Sequence, residues 1–373
     1  MVLKNINVSQ FRNYSNLDLT LKNGINIIYG DNAQGKTNLL ESIYVLALTK
    51  SHRSFIDNNL IKVGEKSAKI KGTVIDGNVP SQLEIIINSK NKKIKVDQNE
   101  MKRVSDYITK MNIIIFYPED LELIKNSPGI RRRFLNLELS QIDGQYLNLY
   151  GEFSKILKMR NDYLKKINKG LPIDMGYFEI LNDYFIEKAV EIYQRRAHFI
   201  RLINERCEKI FYELSGLNGL HLQYKTTIPI ENQSPLILKE QLRDKLNRIK
   251  DTEIKLGVTL CGPHRDDFEF YIDSQNIKYF GSQGQQRMAI LALKLSEIDI
   301  FKEETKKSPI LLLDDVFSEL DGTKKNNLLS YIKQDIQTII TTTDLENIDE
   351  TILKQAKLIQ IQNGKVISIK EEE

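Results

Sequence analysis

A glycine-containing loop between an apolar strand and an apolar helix limits the folds open to this chain. The segment GDNAQGKT, residues 30–37, follows the apolar run INII and precedes NLLESIYVLAL. It matches the pattern G-x-x-x-x-G-K-[ST], in which glycines let backbone N–H groups curl inward at phosphates. The alternative, a glycine-containing turn before a helix, is disfavoured because strand, motif and helix occur together. The sequence therefore predicts a phosphate loop.

The side chains of this loop have separate predicted roles. Lys36 is expected to bridge the outer phosphates of a nucleotide, and the Thr37 hydroxyl is expected to ligate Mg²⁺. The positive N-terminal end of the following helix adds to the attraction for phosphate. The residues expected to line the nucleotide are Gly30, Asp31, Asn32, Ala33, Gln34, Gly35, Lys36, Thr37 and Asn38.

Two adjacent carboxylates end a second apolar run, ILLLDD, at residues 310–315. A magnesium–nucleotide site needs a carboxylate at the end of a neighbouring buried strand. Asp314 is expected in the magnesium shell, and Asp315 beside the γ-phosphate, where it would orient or deprotonate the attacking water. Aspartate reaches less far than glutamate, which predicts slow hydrolysis. The alternative is a strand capped by solvated acids.

A third segment, SQGQ at residues 282–285, opens a strongly apolar helix. Its serine hydroxyl, its glycine and the N–H groups of a helix start form a second predicted anion site, with Ser282, Gly284 and Gln285 as contacts. An ordinary capped helix start is an equally good interpretation of this segment alone. One nucleotide does not need two such sites from one chain, whereas two chains arranged head to tail would use both.

Changes in periodicity divide the chain into two predicted domains. Alternating runs indicate strands in the first third and again in the last part, including LGVTL at residues 256–260. Residues 119–215 have mostly helical periodicity, with long helices near 143–168 and 174–214. We expect an α/β fold with an antiparallel β subdomain, formed by 1–118 and 255–373, and an inserted, mainly helical lobe at 119–254.

Composition limits which cellular compartment and which classes of partner are expected for this chain. The 373 residues carry a net charge of only +4, so a nucleic-acid surface would have to come from local basic patches. Cys207 and Cys261 lack metal-ligand spacing, and a reducing cytoplasm is the expected location. The N-terminus does not read as a signal peptide, and no apolar run approaches the ~18–20 residues of a membrane span, so no membrane partner is expected.

Basic residues on the predicted helices are candidate contacts to DNA phosphates. Arginine guanidinium groups fork onto phosphate oxygens without reading sequence. The alternative, a solvated charged helix face, is the commoner meaning of such clusters. The candidates are Arg131, Arg132, Arg133, Arg195 and Arg196, with Arg160, Lys165, Lys166 and Arg201 also on helices.

The order of phosphate loop, SQGQ segment, LLLDD and SELD resembles the ABC-type ATPase heads of the SMC class. More closely, the chain is similar to the RecF family of bacterial DNA repair proteins. The segments that carry this resemblance span nearly the whole chain: QFRNY (10–14), KSHRSF (50–55), YPEDLELIKNSPGIRRRFLN (117–136), GPHRDDFEF (262–270) and SQGQQR (282–287). They are more specific than the phosphate loop, which many unrelated proteins share.

The resemblance implies an ABC-type P-loop ATPase head that binds ATP and Mg²⁺, forms a homodimer on ATP and clamps DNA without sequence preference. It implies action with RecO and RecR at gapped or stalled DNA, on duplexes or single/double-strand junctions, and a weak DNA-stimulated ATPase that serves as a switch. By position, Arg12 and Asn13 would line the nucleotide, and Ser282 would touch the partner's γ-phosphate. The residues implied in catalysis are Asp315, Lys36 and Ser282, and those in a dimer-crossing loop are Ser318, Glu319, Leu320 and Asp321.

Two departures from the broader ABC pattern concern hydrolysis. The strand NIIIFYPED lacks the usual glutamine, and Thr343 occupies the position where a histidine is common. A transporter-type ABC subunit is an alternative that the large insertion disfavours. A chromosome-organising SMC-like ATPase is another, and Gly170, Pro172 and Pro229 argue against a long coiled coil by breaking the helices.

Overall fold

The computed structural model describes residues 1–231, 233–316, 325, 328, 336–346 and 348–371. The chain divides into two compact units, each formed by more than one segment. The first unit comprises Met1–Leu121, Lys209–Leu217 and Ile290–Glu373, and the second comprises Glu122–Glu208 and Asn218–Ala289. Both ends of the chain therefore belong to one unit, and most of the middle belongs to the other.

The elements follow one another along the chain in three blocks. The first block contains β1 (Val2–Phe11), β2 (Tyr14–Thr20), β3 (Ile25–Tyr29), α1 (Lys36–Leu48), β4 (Ser67–Asp76), β5 (Val79–Asn88), β6 (Lys92–Val96), β7 (Asn99–Glu100), α2 (Ser105–Ile108) and β8 (Ile113–Phe116). The second contains α3 (Glu122–Lys125), α4 (Pro128–Ile142), α5 (Gly144–Asn168), α6 (Met175–Ser215), β9 (Leu220–Lys225), α7 (Pro235–Leu256), β10 (Asp267–Ile272), β11 (Gln275–Asn276), α8 (Ile277–Phe280) and α9 (Gln283–Thr305). The third contains β12 (Ile310–Asp314), β13 (Thr338–Thr342), α10 (Glu350–Gln355), β14 (Lys357–Gln362) and β15 (Lys365–Lys370).

An antiparallel sheet forms one layer of the first unit, as the alternating sequence pattern predicts. Its strand order is β2-β1-β4-β5-β6-β7. Along β4, Ala68, Ile70, Gly72 and Val74 are buried, and the residues that alternate with them are more exposed, because side chains along a strand point to opposite faces. On the outward side Glu84 forms ion pairs with Lys69 and Lys95, at 2.9 Å and 3.5 Å.

A mainly parallel sheet forms the other layer of this unit, in the order β15-β14-β3-β13-β12-β8. Only β15 runs antiparallel, as the partner of β14 in a terminal hairpin. Strand β12 is buried throughout, which confirms the prediction from ILLLDD. Because the carboxyl ends of β3, β12 and β13 meet at one edge, the residues that follow these strands form a shared site there.

The second unit extends beyond the predicted limit of the insertion at residue 254. Strand β9 pairs antiparallel with β10, from Leu220↔Ile272 to Lys225↔Asp267, and this pairing joins the later segment to the helices. The segment that contains Ser282 therefore belongs to the second unit and not to the predicted ATPase domain. The division predicted between 254 and 255 did not anticipate this long-range strand pair.

Local predictions within the second unit have mixed outcomes. The long helices expected near 143–168 and 174–214 are α5 and α6. The strand expected at LGVTL, residues 256–260, is wrong. Helix α7 continues to Leu256, and Gly257 ends it in the left-handed region at φ 65°, a conformation that glycine adopts at little cost.

Candidate functional site

The phosphate loop has a backbone conformation that depends on its glycines. Gly30 has φ 146° and Gly35 has φ 113°, both in the region that disfavours side chains. A Cβ on Gly30 would lie 2.3 Å from the Ile361 carbonyl oxygen, and one on Gly35 would lie 2.5 Å from the Asn13 amide nitrogen. Helix α1 begins directly after Gly35, and no described side chain caps it. Its first N–H groups are therefore available to an anion.

Lys36 closes the loop through its ammonium group. Nζ donates to the carbonyl oxygens of Gly30 and Asp31, at 2.6 Å and 2.8 Å. Burial lowers the pKa of Lys36 from its usual value, while the charges of Asp315, Asp314 and Asp31 act in the opposite direction. The lysine thus stands among carboxylates at the edge where the phosphates of a nucleotide would lie.

Asp314 and Thr37 form a pair of hard oxygen ligands at the end of β12. The Thr37 hydroxyl donates to Asp314 Oδ1 at 2.9 Å, and the Thr341 hydroxyl donates to the same atom at 2.7 Å. Burial raises the pKa of Asp314 from its usual value, while both hydroxyls and the charge of Arg53 act against that rise. Hydroxyl and carboxylate oxygens are ligands that Mg²⁺ prefers, so this donor set fits the ion.

Asp315 follows in the left-handed region, with φ 51°. Its N–H is held by the carbonyl and the hydroxyl oxygens of Thr341, at 3.2 Å and 3.1 Å. Strained backbone such as that of Asp315 is often retained at functional sites. Thr343, at the position where a histidine is common in ABC proteins, lines a cavity together with Gly30 and Asp31. The predicted dimer loop, Ser318, Glu319, Leu320 and Asp321, lies outside the described residues.

Two hairpin tips hold the phosphate loop, and only one of them was expected. At the β1–β2 turn, Asn13 donates to the Gln34 carbonyl at 3.3 Å and accepts from Asn38 at 2.9 Å. At the β14–β15 turn, the N–H groups of Asn363 and Gly364 donate to Gln34, at 2.7 Å and 2.9 Å. An Asn-Gly pair is a common turn signal, but nothing in the sequence indicates that this turn contacts Gln34.

A buried carboxylate that sequence reasoning missed lies one turn into α1. Glu41 accepts from Arg12 Nε at 2.9 Å and from a second Arg12 nitrogen at 2.7 Å, and Arg53 lies 3.6 Å away. Burial alone would raise the pKa of Glu41, but hydrogen bonds from Arg12 and Ser51 and both guanidinium charges outweigh it and lower the pKa. The signal was present as one acid inside the apolar run NLLESIYVLAL.

The SQGQ segment caps helix α9 within the second unit. The Ser282 hydroxyl accepts from the Gln285 N–H at 3.2 Å, and the Gln285 side-chain oxygen accepts from the Ser282 N–H at 2.8 Å. This reciprocal pair is a capping box. Ser282 and Gly284 are exposed, and a Cβ on Gly284 would meet nothing closer than 4.0 Å. The segment is thus both an ordinary helix start and an open surface that a partner could approach.

Two of the proposed DNA contacts are wrong, because Arg131 and Arg196 are core residues. Arg131 is bidentate to Asp267, at 2.6 Å and 2.8 Å. Arg196 is fully buried beside Asp266 and donates to the Pro263 carbonyl at 2.7 Å. Neither guanidinium group can reach a DNA backbone from these positions. The helical pattern could not separate a paired core arginine from a solvated one.

Arg132, Arg133 and Arg195 keep some exposure. Arg132 is partly buried and donates to the Asp266 carbonyl at 2.7 Å, and Arg195 forms an ion pair with Asp143. Arg133 is exposed. Arg160, also named among the helical basic residues, is buried in an ion pair with Glu253 at 2.6 Å.

None of the helices in the described part of the chain has the length and hydropathy that a membrane span requires.

Comparison with known proteins gives the family. A family model described as the RecF/RecN/SMC N terminal domain matches residues 2–367. The chain is 43% identical over 367 residues to the DNA replication and repair protein RecF of Listeria innocua, covering 98% of this chain and 99% of that protein. The chain belongs to the RecF family. The protein of the same name from Bacillus pumilus is 42% identical over 369 residues, with 98% and 100% coverage.

Solved structures agree with this assignment to the RecF family. The structure of the recombination mediator protein RecF-ATP in the RecFOR pathway has a TM-score of 0.90 and 33% identity, covering 99% of this chain and 97% of that one. An SmcHead bound to the C-winged helix domain of ScpA has a TM-score of 0.55 at 16% identity, covering 98% and 97%. The second likeness supports the predicted ABC-type α/β head as a fold. The three relatives above that are more than 30% identical to this chain are all named RecF, which favours the RecF interpretation over the transporter and chromosome-organising alternatives.

Proposed function

We propose that this chain is an ATP-dependent DNA-binding protein of recombinational DNA repair and replication restart. The observation that carries the proposal is the convergence of Lys36, Thr37 and Asp314 at one sheet edge, in a chain that aligns over 99% of its length with an ATP-bound RecF. ATP is the ligand that this site fits, with its phosphates on the loop and on the start of α1.

We further propose that Mg²⁺ accompanies the nucleotide, held by the Thr37 hydroxyl and by Asp314 directly or through water. A bound Mg²⁺ would neutralise phosphate charge and orient the γ-phosphate. Lys36 would exchange its bonds to the Gly30 and Asp31 carbonyls for bonds to phosphate oxygens. Thr341 keeps Asp314 oriented throughout, because its hydroxyl holds the same carboxylate oxygen from the neighbouring strand.

Hydrolysis in this proposal is weak, DNA-stimulated and resets the switch. Asp315 orients the attacking water and accepts its proton. The replacement Asp315→Asn is expected to slow turnover by about a hundredfold, the lower end of the usual range for a general base, while ATP still binds. Single-turnover hydrolysis and equilibrium ATP binding check this together. An unchanged rate would remove Asp315 from the mechanism.

Homodimerisation on ATP is the proposed response to binding. The exposed start of α9, with Ser282 and Gly284, is the surface that would close on the partner's γ-phosphate. Ser282→Arg is expected to leave ATP affinity intact and to weaken the ATP-dependent dimer by tenfold or more, since it puts bulk and charge at a close contact. Sedimentation with and without ATP and DNA measures both effects. Dimers that persist in this variant would contradict the proposed interface.

DNA and two further proteins complete the proposal. The clamp would hold duplex DNA or single/double-strand junctions at gapped or stalled sites through phosphate contacts, which do not depend on sequence. Arg133 is the candidate that exposure supports best, and Arg132 and Arg195 are less accessible. RecO and RecR are the proposed partners, which is consistent with the RecFOR pathway named for the solved relative.

A further inference from the structure

We propose that Glu41 is the positioning residue of the nucleotide site, which fixes Arg12 and Arg53 beside the phosphate loop and thereby sets the preference for ATP over ADP. This inference rests on the proposed function, because it assigns a role within the same ATP site. It adds a residue that does not touch the nucleotide and that acts only through two arginines.

Glu41 is a fully buried carboxylate with partners on two separate segments. Its oxygens accept two bonds from Arg12, at 2.9 Å and 2.7 Å, and one from the Ser51 hydroxyl at 2.5 Å. Arg53 lies 3.6 Å from the second oxygen. A buried charge is retained only where it is paired and hydrogen-bonded, and these protein contacts meet that condition.

The first series of contacts connects Glu41 through Arg12 to the phosphate loop. Arg12 lies in the β1–β2 turn with φ 52°, an unfavourable conformation for a residue with a side chain. Its guanidinium group is held by Glu41 and by the Asn59 carbonyl at 2.9 Å. The next residue, Asn13, contacts Gln34 and Asn38. Anchoring Arg12 therefore anchors the hairpin tip that presses on the phosphate loop.

The second series of contacts connects Glu41 through Ser51 and Arg53 to Asn38, next to Thr37. The Ser51 hydroxyl accepts from the backbone N–H groups of Arg53 and Ser54, each at 2.9 Å, while it donates to Glu41. Arg53 donates to the Asn38 side chain at 3.0 Å, next to Thr37. Arg53 is thus held on the Thr37 side of the loop, where the proposed Mg²⁺ and γ-phosphate would lie.

The charge balance of this cluster points to an anionic ligand. One buried carboxylate faces two guanidinium groups, which leaves one positive charge uncompensated among the three. Arg12 and Arg53 keep 22% and 40% of their side chains exposed, so neither guanidinium group is fully enclosed by the protein. Because Arg53 lies at the γ-phosphate side, Glu41 should affect ATP more than ADP.

The test uses Glu41→Gln in the full chain, with Glu84→Gln as the matched control. Glutamine keeps the shape of Glu41 but removes its charge and replaces one acceptor by a donor. Glu84 also holds two cations, Lys69 and Lys95, but on the antiparallel sheet outside the site. Dissociation constants for ATP and ADP are measured for each protein, together with thermal unfolding midpoints.

We expect Glu41→Gln to weaken ATP binding about tenfold, as for one lost charge-assisted hydrogen bond, and to lower the ratio of ADP to ATP dissociation constants. Glu84→Gln should leave both constants unchanged. In the Arg53→Gln background the Glu41 replacement should not change the ratio further, because residues that act through one another are not additive.

Three outcomes would overturn the inference. They are an unchanged ratio in a folded Glu41→Gln protein, an equal change in Glu84→Gln, or a fully additive change in the double variant. If Glu41→Gln does not fold, Ser51→Ala, which removes only the bridging hydroxyl, replaces it, and an unchanged ratio there is equally decisive. A wild-type chain that binds neither nucleotide would overturn the proposed function, and this inference with it.

Discussion

Replacing Lys36 by methionine should weaken ATP binding by about a hundredfold, the effect of losing a charge-assisted contact to the outer phosphates. The variant keeps the aliphatic part of the side chain but loses the ammonium group that bonds to the Gly30 and Asp31 carbonyls. Equilibrium titration with ATP measures the change. The loop backbone should persist, because Asn13, Asn363 and Gly364 hold it independently of Lys36.

Lys92→Met is the matched control for this prediction. Lys92 is also a shielded lysine that bonds to a backbone carbonyl, that of Thr49 at 2.5 Å, and to Asp57 at 2.8 Å. The Lys92→Met replacement should leave ATP affinity unchanged, because Lys92 lies on β6 and its bonds go to Thr49 and Asp57, outside the phosphate loop. ATP affinity that survives Lys36→Met would show that the loop does not bind phosphate as proposed.

Replacing Arg160 by methionine should lower the free energy of unfolding by about 3–5 kcal/mol, the usual loss when one partner of a buried ion pair is removed. Arg160 donates to Glu253, Thr259 and Asn182, at 2.6 Å, 2.7 Å and 2.8 Å. The variant leaves the Glu253 carboxyl group in the core without its arginine partner, while the Leu260 N–H still donates to it at 2.7 Å. Urea unfolding followed by circular dichroism measures the loss.

A surface pair in the same unit provides the comparison. Arg243 and Asp183 are 2.8 Å apart, with 53% and 58% of their side chains exposed. Arg243→Met should cost only about 0–1 kcal/mol, because water screens an exposed pair. Adding Glu253→Gln to Arg160→Met should cost less than the two single losses together. Equal losses for Arg160→Met and Arg243→Met would show that burial does not decide the contribution of these pairs.

The parts of the fold and site that depend on neighbouring residues were predictable from the sequence. The phosphate loop, α1 and the buried strand before Asp314 each carry their pattern within about a dozen residues. Apolar periodicity located α5 and α6, and alternation located the antiparallel sheet. In each case the local physics of the segment and its tertiary environment favour the same conformation.

The parts that depend on distant partners were not predictable. Arg160 pairs with Glu253 across 93 positions, so a helical pattern shows a basic residue but not the acid that allows its burial. The pairing of Glu41 could be seen only once the folded positions of Arg12, Ser51 and Arg53 were known, because these residues come from two segments distant from each other in the sequence. The extension of the second unit beyond residue 254 includes β10, which pairs with the distant strand β9. Single-sequence periodicity carries no information on such long-range pairs.

The position of β3 in the parallel sheet has a consequence for synthesis on the ribosome. Both of its neighbours, β13 and β14, lie far downstream in the sequence and are translated long after β3, as is the hairpin tip that holds Gln34. Until they emerge, the nascent chain presents β3 with two unpaired edges, the kind of surface that attracts other strands. The proposed nucleotide site therefore cannot be complete until these distant strands have been translated.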